Sequence, residues 1–160
     1  MIFEVCEGMN VAEFLGVTKY EPPIPTNFAG QVANIGIENV IKFDVEYLKR
    51  YMNMFNEGDL VSVTEKLHGT CAIFGWVEGL NHDELTEGEY FAASKGLGSQ
   101  GLVMKDNGAN AGNLYVRTGK AGVFDMVRNL RGLYPSAKRI LLLGEIYSKG
   151  VQDLNYGTTE

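Results

Sequence analysis

Histidine and cysteine are the scarcest chemistry-bearing residues in this chain, with only His68, His82, Cys6 and Cys71 among 160 positions. Two cysteines fall far short of a disulfide framework, and the four residues lack the spacing of a zinc site, so both thiols are expected to be reduced. No apolar run approaches the roughly 20 residues of a membrane span. The opening Met-Ile-Phe-Glu-Val also lacks the basic, apolar and small-residue order of a secretory leader. A cytoplasmic protein is the default expectation. Basic residues are in deficit too, 14 Lys and Arg against 20 Asp and Glu, for a formal net charge of −6. That balance counts against generic nucleic-acid binding, because affinity for phosphates rests mostly on Lys and Arg. The average hides a gradient. Residues 78–89 hold five acids and no Lys or Arg, whereas residues 115–139 hold Arg117, Lys120, Arg128, Arg131, Lys138 and Arg139 against Asp125 alone. The basic stretch suits either a polynucleotide-facing surface or the solvated side of a helix.

What the chain does have is enough apolar residue, 45%, for one core. Residues 61–77 are central. Val61 and Val63 alternate with Ser62 and Thr64, Gly69 permits a turn, and residues 71–77 are β-branched and aromatic, which predicts strand, turn, strand. Upstream, Val11, Phe14 and Leu15 suggest a short helix ending at Gly16, and Pro22, Pro23 and Pro25 force an extended lead-in. The boundary is placed there, giving 1–25 as the remnant of an upstream region and 26–160 as the main unit. Residues 34–38 predict a loop. Asp44 is a plausible N-cap for a helix carrying the stripe Val45, Leu48, Tyr51, Met52 and Phe55 and closing near Gly58.

Beyond the acidic loop 78–89, residues 90–94 predict a strand. Gly96, Gly98 and Gly101 form a Gly-x-Gly-x-x-Gly, but residues 102–105 run into the turn signal Asp106-Asn107-Gly108 rather than a helix. A dinucleotide fold is therefore rejected, and the glycines are expected to admit a ligand or another strand to close range. A second helix is predicted over 122–133, with Val123, Met126, Val127, Leu130 and Leu133 on one face and Pro135 ending it. Ile140 to Leu143 suit a strand buried on both faces, with Glu145 just beyond, as either a surface loop acid or a paired site carboxylate.

The turn after Val63 presents Glu65, Lys66 and His68. Lys66 is either a solvated turn lysine or a nucleophile, since a neutral lysine amine held by rigid strands attacks phosphorus or carbonyl carbon. Neutrality is costly: a lysine starts near pKa 10.4, so burial or nearby cations must supply about 4 kcal/mol or more.

Glu-Lys-Leu-His-Gly-Thr at 65–70 resembles the Lys-x-His/Asp-Gly nucleotidyl-transfer motif of ATP-dependent RNA and DNA ligases and messenger-RNA capping enzymes, in its RNA-ligase form. Ser-Lys-Gly-Leu-Gly-Ser-Gln-Gly-Leu at 94–102 and Leu-Gly-Glu-Ile-Tyr-Ser-Lys-Gly-Val-Gln-Asp-Leu-Asn-Tyr-Gly at 143–157 resemble that family's second and third blocks, in order. Leu-Gly-Val-Thr-Lys-Tyr-Glu-Pro-Pro-Ile-Pro at 15–25 is similar to the lead-in of the branch with an N-terminal OB-fold.

The resemblance implies an α+β nucleotidyltransferase fold, mostly antiparallel sheets with flanking helices. It makes Lys66 the catalytic nucleophile, which takes AMP from ATP as a phosphoramidate with Mg²⁺ (or Mn²⁺) present. Nucleotide contacts fall to Glu65 at the adenine, His68 and Gly69 in the phosphate region, Lys95 at phosphate and Glu145 at the ribose; metal ligands are not specified. Many relatives have Arg where Lys95 stands, which leaves a point charge in place of a bidentate contact. The implied partner is RNA, or an RNA-containing duplex, with 5′-phosphate and 3′-hydroxyl ends to be joined. The family's later blocks, an adenine-stacking aromatic, a Glu-Gly metal acid and a late lysine pair, do not occur before Glu160. A missing C-terminal half and weak activity alone are therefore expected. The alternatives are a catalytically inert nucleic-acid-binding or assembly module and a capping-type guanylyltransferase.

Overall fold

The structure, a computed structural model, describes residues 6, 7, 9, 11, 12, 14–17, 23–153, 156 and 157. Its centre is an antiparallel five-stranded sheet in the order β1-β4-β3-β2-β5: β1 (Val32–Asn34), β2 (Thr70–Val77), β3 (Tyr90–Ser94), β4 (Leu102–Met104) and β5 (Arg139–Ile146). β2 and β3 are the strands expected from their β-branched and aromatic residues, to within one residue at their ends. The acidic loop joins them as a hairpin connection, closed by a bridge between Thr86 and Tyr90.

Alternation along β2 and β3 divides the core between the two faces of the sheet. On one face Ile73, Val77, Phe91 and Ala93 pack with Val103, Ala33, Ile35, Val40 and Leu85. On the other, Ala72, Phe74, Trp76, Tyr90 and Ala92 meet Phe124 and Val127 of α3 (Phe124–Leu133). A third cluster, Val32, Leu97, Leu102, Met104 and Val116, joins β1 and β4 to the single turn α1 (Lys95–Gly98) and to α2 (Leu114–Thr118). Asn113 caps α2 by accepting from the amides of Tyr115 and Val116. A π-helical segment, Gly119–Val123, leads into α3, and Gly122 at φ 133° makes the kink between them. The chain is thus an α+β protein. Among the described residues no helix is long and apolar enough to cross a membrane.

Two glycines of the Gly-x-Gly-x-x-Gly, Gly98 and Gly101, serve packing, while a Cβ on Gly96 would meet open space. A Cβ on Gly98 would lie 2.7 Å from Ile73 Cδ1, and one on Gly101, at φ 76°, would lie 2.6 Å from the Ile37 nitrogen. The backbone enters β4 directly behind it, so the rejection of a dinucleotide fold agrees with the observed strand.

Five expectations need correction. The helix expected from Asp44 to Gly58 does not form: the segment holds two 3-10 turns, Leu48–Arg50 and Met52–Met54, and its stripe of Val45, Leu48, Tyr51, Met52 and Phe55 is exposed. An amphipathic helix owes most of its stability to an apolar surface under its stripe, and none lies under this one. Residues 61–64 form no strand and pair with none among the described residues, with Val63 91% exposed, because a strand needs a ladder partner. Among the described residues β5 is an edge strand paired only with β2, rather than one buried on both faces. The second helix begins at Phe124, and Met126 and Leu133 of its expected stripe face solvent while Phe124 and Val127 carry the contact. Where Val11, Phe14 and Leu15 suggest a short helix, the described residues form a turn, in which the Leu15 amide donates to the Val11 carbonyl at 2.9 Å and Gly16 follows at φ 65°; residues 18–22 of the lead-in to Pro25 lie outside the described residues.

Because Ile73 is fully buried in the central strand and Leu60 is fully exposed, their truncations should separate widely. Ile73→Ala is expected to cost about 2–5 kcal/mol of unfolding free energy and Leu60→Ala less than about 0.5 kcal/mol, read from denaturant midpoints.

Candidate functional site

The turn that carries Lys66 lies where the unpaired segment enters β2. Glu65 and Lys66 are exposed, and the Lys66 ammonium reaches the Leu67 carbonyl at 3.5 Å. The two residues that follow Leu67 are tied to the far end of β5. The His68 amide donates to the Tyr156 hydroxyl at 2.5 Å, and the Gly69 amide donates to Glu145 Oε1 at 2.9 Å. Gly69 is also the only residue type that fits, since a Cβ there would lie 2.2 Å from the Ile146 carbonyl oxygen. Glycine here is a matter of space between two strands, and it gives the Lys-x-His-Gly pattern a structural cause independent of any ligand.

The register places more of the site. Cys71 pairs with Glu145, and Ala72 pairs with Ser94, so Lys95 follows β3 at the level of Cys71. Cys71 and Glu145 share one face of the sheet as cross-strand partners, and Lys95, at the start of α1, lies close enough to act on the same thiol. The Cys71 thiol responds to both neighbours. Burial pushes its pKa up, the Glu145 carboxylate adds to that, and the Lys95 ammonium opposes it. Lys95 pairs with Asp44 at 2.8 Å and lies over the Phe43 ring, 5.1 Å from its centroid. The Lys95 hydrogen bond, with help from the Val45 amide, holds the Asp44 carboxyl below the usual carboxylate range. Phe43, Asp44 and Lys95, with Lys42, Gly96 and Ser99, line a cleft of about 570 Å³. On the opposite face Thr70 shares a 2.7 Å hydrogen bond with the Tyr115 hydroxyl, which fixes the start of β2 to α2.

Of the expected site residues, His68, Gly69, Lys95 and Glu145 therefore converge at one end of the sheet. Glu65 and Lys66 stand at its solvent edge. Glu145 sits on an exposed edge strand, where the Gly69 amide satisfies one of its oxygens. Asp44 and Tyr156 were missed as site residues. Asp44 carried the signal of a helix cap, and it does accept from the Val45 amide, but no helix follows. Nothing in the sequence links it to Lys95, 51 residues away. Tyr156 was visible only as a member of the 143–157 block.

The charge gradient also resolves into pairs. Arg128 is held by Asp125 and Glu87, and Arg131 binds Glu89 at 3.0 Å while stacking on Trp76 at 4.0 Å. Glu89 also accepts from the Trp76 indole at 2.9 Å. These two arginines serve the acidic hairpin loop, which leaves them little charge to offer a polynucleotide. His82 closes a turn in that loop by accepting from the Glu84 amide. Among the described residues no three His, Cys, Asp or Glu side chains gather as a metal cradle.

Compared with family models, with curated proteins and with solved structures, the chain matches none. The motif resemblance and the geometry are what bear on its chemistry.

Cys71 offers a built-in probe of this group. In a Cys6→Ser background, Cys71 is expected to react with a thiol reagent as if its pKa lay above that of an ordinary thiol, because only the thiolate attacks. Glu145→Gln should move the midpoint of the reactivity profile to lower pH, and Lys95→Ala should move it higher. An unshifted midpoint in both variants would mean that the three groups do not share one electrostatic site.

Proposed function

We propose that this chain carries the nucleotide-binding front part of an ATP-dependent RNA ligase acting through a lysyl-AMP intermediate. The observation that supports it most is the hydrogen bond from the Gly69 amide to Glu145. It brings the first and third blocks of the ligase pattern, 76 residues apart, into contact, with Lys95 of the second block beside the same Cys71 thiol. A nucleotide suits this donor set. One Glu145 oxygen is used by Gly69, and among the described residues the other has no partner, so it is available to a ribose hydroxyl. Lys95, exchanging Asp44 for a ligand, supplies positive charge to phosphate. The implied Mg²⁺ (or Mn²⁺) has no protein cradle among the described residues, and such an ion is commonly held largely by the nucleotide's own phosphates and water.

In the reaction, the deprotonated Lys66 amine attacks the α-phosphorus of ATP. A nitrogen–phosphorus bond forms, the bond to the pyrophosphate oxygen breaks, and AMP stays on the lysine. Transfer to an RNA 5′-phosphate and attack by a 3′-hydroxyl would then join the ends. Such displacement depends on positioning and on neutralising charge at phosphorus. The exposed Lys66 lacks that support. Removing one preorganised donor from a charge-stabilising site costs about 2.7–4 kcal/mol, so the proposed activity is weak until a further C-terminal half supplies cations over the lysine. The unpaired segment 61–64 and the exposed apolar residues before it agree with a fold that expects more protein there.

The exposure of Lys66 also favours a second reading, a catalytically inert RNA-binding or assembly module. Incubation with radiolabelled ATP or GTP and a denaturing gel separates the possibilities. Trace label from ATP is expected on the chain alone, strong label when a ligase C-terminal half is added fused or in trans, and none in either case for Lys66→Arg, whose guanidinium is never neutral. Label from GTP would instead indicate capping chemistry, and absence of label with the added half would favour the inert module.

A further inference from the structure

We infer that Tyr156 is the positioning residue for Lys66, clasping the turn that bears the lysine onto the end of the sheet. The inference rests on the nucleotidyl-transfer reading of Lys66.

The segment before β2 has little else to hold it. Residues 60–66 are exposed, and no strand among the described residues pairs with residues 61–68. What fixes the turn is a pair of consecutive amides, His68 to the Tyr156 hydroxyl and Gly69 to Glu145. The Glu145 contact adjoins the ladder, where Thr70 and Cys71 already pair with Ile146 and Glu145, so it mainly extends β2 by one residue. The Tyr156 contact lies one residue further out and reaches beyond the ladder. It sets the peptide plane two residues from Lys66, which decides where the lysine stem leaves the sheet.

Tyr156 is suited to that task because its own ring is anchored. It packs edge-to-face on Tyr147, with centroids 5.4 Å apart and planes at 79°, and Tyr147 follows directly on β5. Between the two tyrosines the chain turns back, with the Val151 amide bonded to the Ser148 carbonyl at 3.0 Å. A tyrosine has two side-chain torsions to immobilise, so an anchored ring carries its hydroxyl at little entropic cost. A nucleophile misplaced by 1 Å loses on the order of a hundredfold in rate, so a clasp of this kind acts on rate without touching the reacting atoms.

Tyr156→Phe keeps the ring and its contact with Tyr147 and removes only the acceptor. Two measurements on the whole chain test the inference: hydrogen exchange of the His68 and Gly69 amides without nucleotide, and the initial rate of radiolabel incorporation from ATP. The variant is expected to exchange the His68 amide about five- to tenfold faster, in keeping with the loss of one neutral hydrogen bond. Gly69 protection and the melting midpoint should be unchanged, and the labelling rate should fall about tenfold. An unchanged His68 exchange rate overturns the clasp, and faster exchange with an unchanged labelling rate overturns its positioning role. If the wild-type chain takes no label from any nucleotide even with a ligase C-terminal half added, the nucleotidyl-transfer reading fails and positioning of Lys66 for transfer fails with it, while the exchange measurement still decides the clasp itself.

Discussion

The antiparallel ladder between β2 and β5 is the constraint on which the rest of this molecule depends. Eight residues of each strand pair, and their register sets Cys71 against Glu145 and Thr70 against Ile146. No local preference brings these segments together. The intervening chain must be closed into a loop, at an entropic cost that only the burial of β2 between its neighbours repays. Once the ladder forms, Gly69 has no room for a side chain, its amide meets Glu145, and Lys66 is left at the open edge. Site and sheet are therefore one structural event, and any change that slips the register by a residue would turn Glu145 to the opposite face.

Electrostatics in this protein is mostly internal. The acids of the β2–β3 connection and the arginines of α3 form a network, Glu87 with Arg128 and Glu89 with Arg131, with Trp76 and Tyr90 beneath the guanidinium groups. Partly exposed pairs of this kind contribute little stability each. Their consequence is that Arg128 and Arg131 are not free positive charges on the surface. The candidate site is electrically mixed, with Lys95 balanced by Asp44 and facing Glu145 across the Cys71 thiol.

Residues 44–64 are the part of the chain whose sequence and structure disagree most. Their apolar residues have the spacing of a packed helix and strand, and yet Val45, Met54, Leu60 and Val63 face solvent. Propensity is satisfied only as far as short 3-10 turns, because stripe and strand alike take their stability from a surface they cover. The same absence of cover leaves Lys66 in water. One cause thus connects the unformed elements to the expectation of weak chemistry.

The sequence by itself determined the elements whose cause is local: β2 and β3 from their β-branched and aromatic residues and the helix before Pro135 from its stripe, while the α+β class, expected from the family resemblance, is the one observed. It also singled out Gly69, Lys95 and Glu145 as candidates, through the resemblance of their blocks to a ligase pattern. Tertiary structure alone decided that β5 is an edge strand, that Asp44 answers to Lys95 rather than to a helix, that Arg128 and Arg131 are spent on the acidic loop, and that Tyr156 reaches His68. Each is a pairing across tens of residues, and such pairings are fixed by how the sheet closes. A one-dimensional pattern records which residues can hydrogen-bond or carry charge, but the partner each one meets is set by strand order and register.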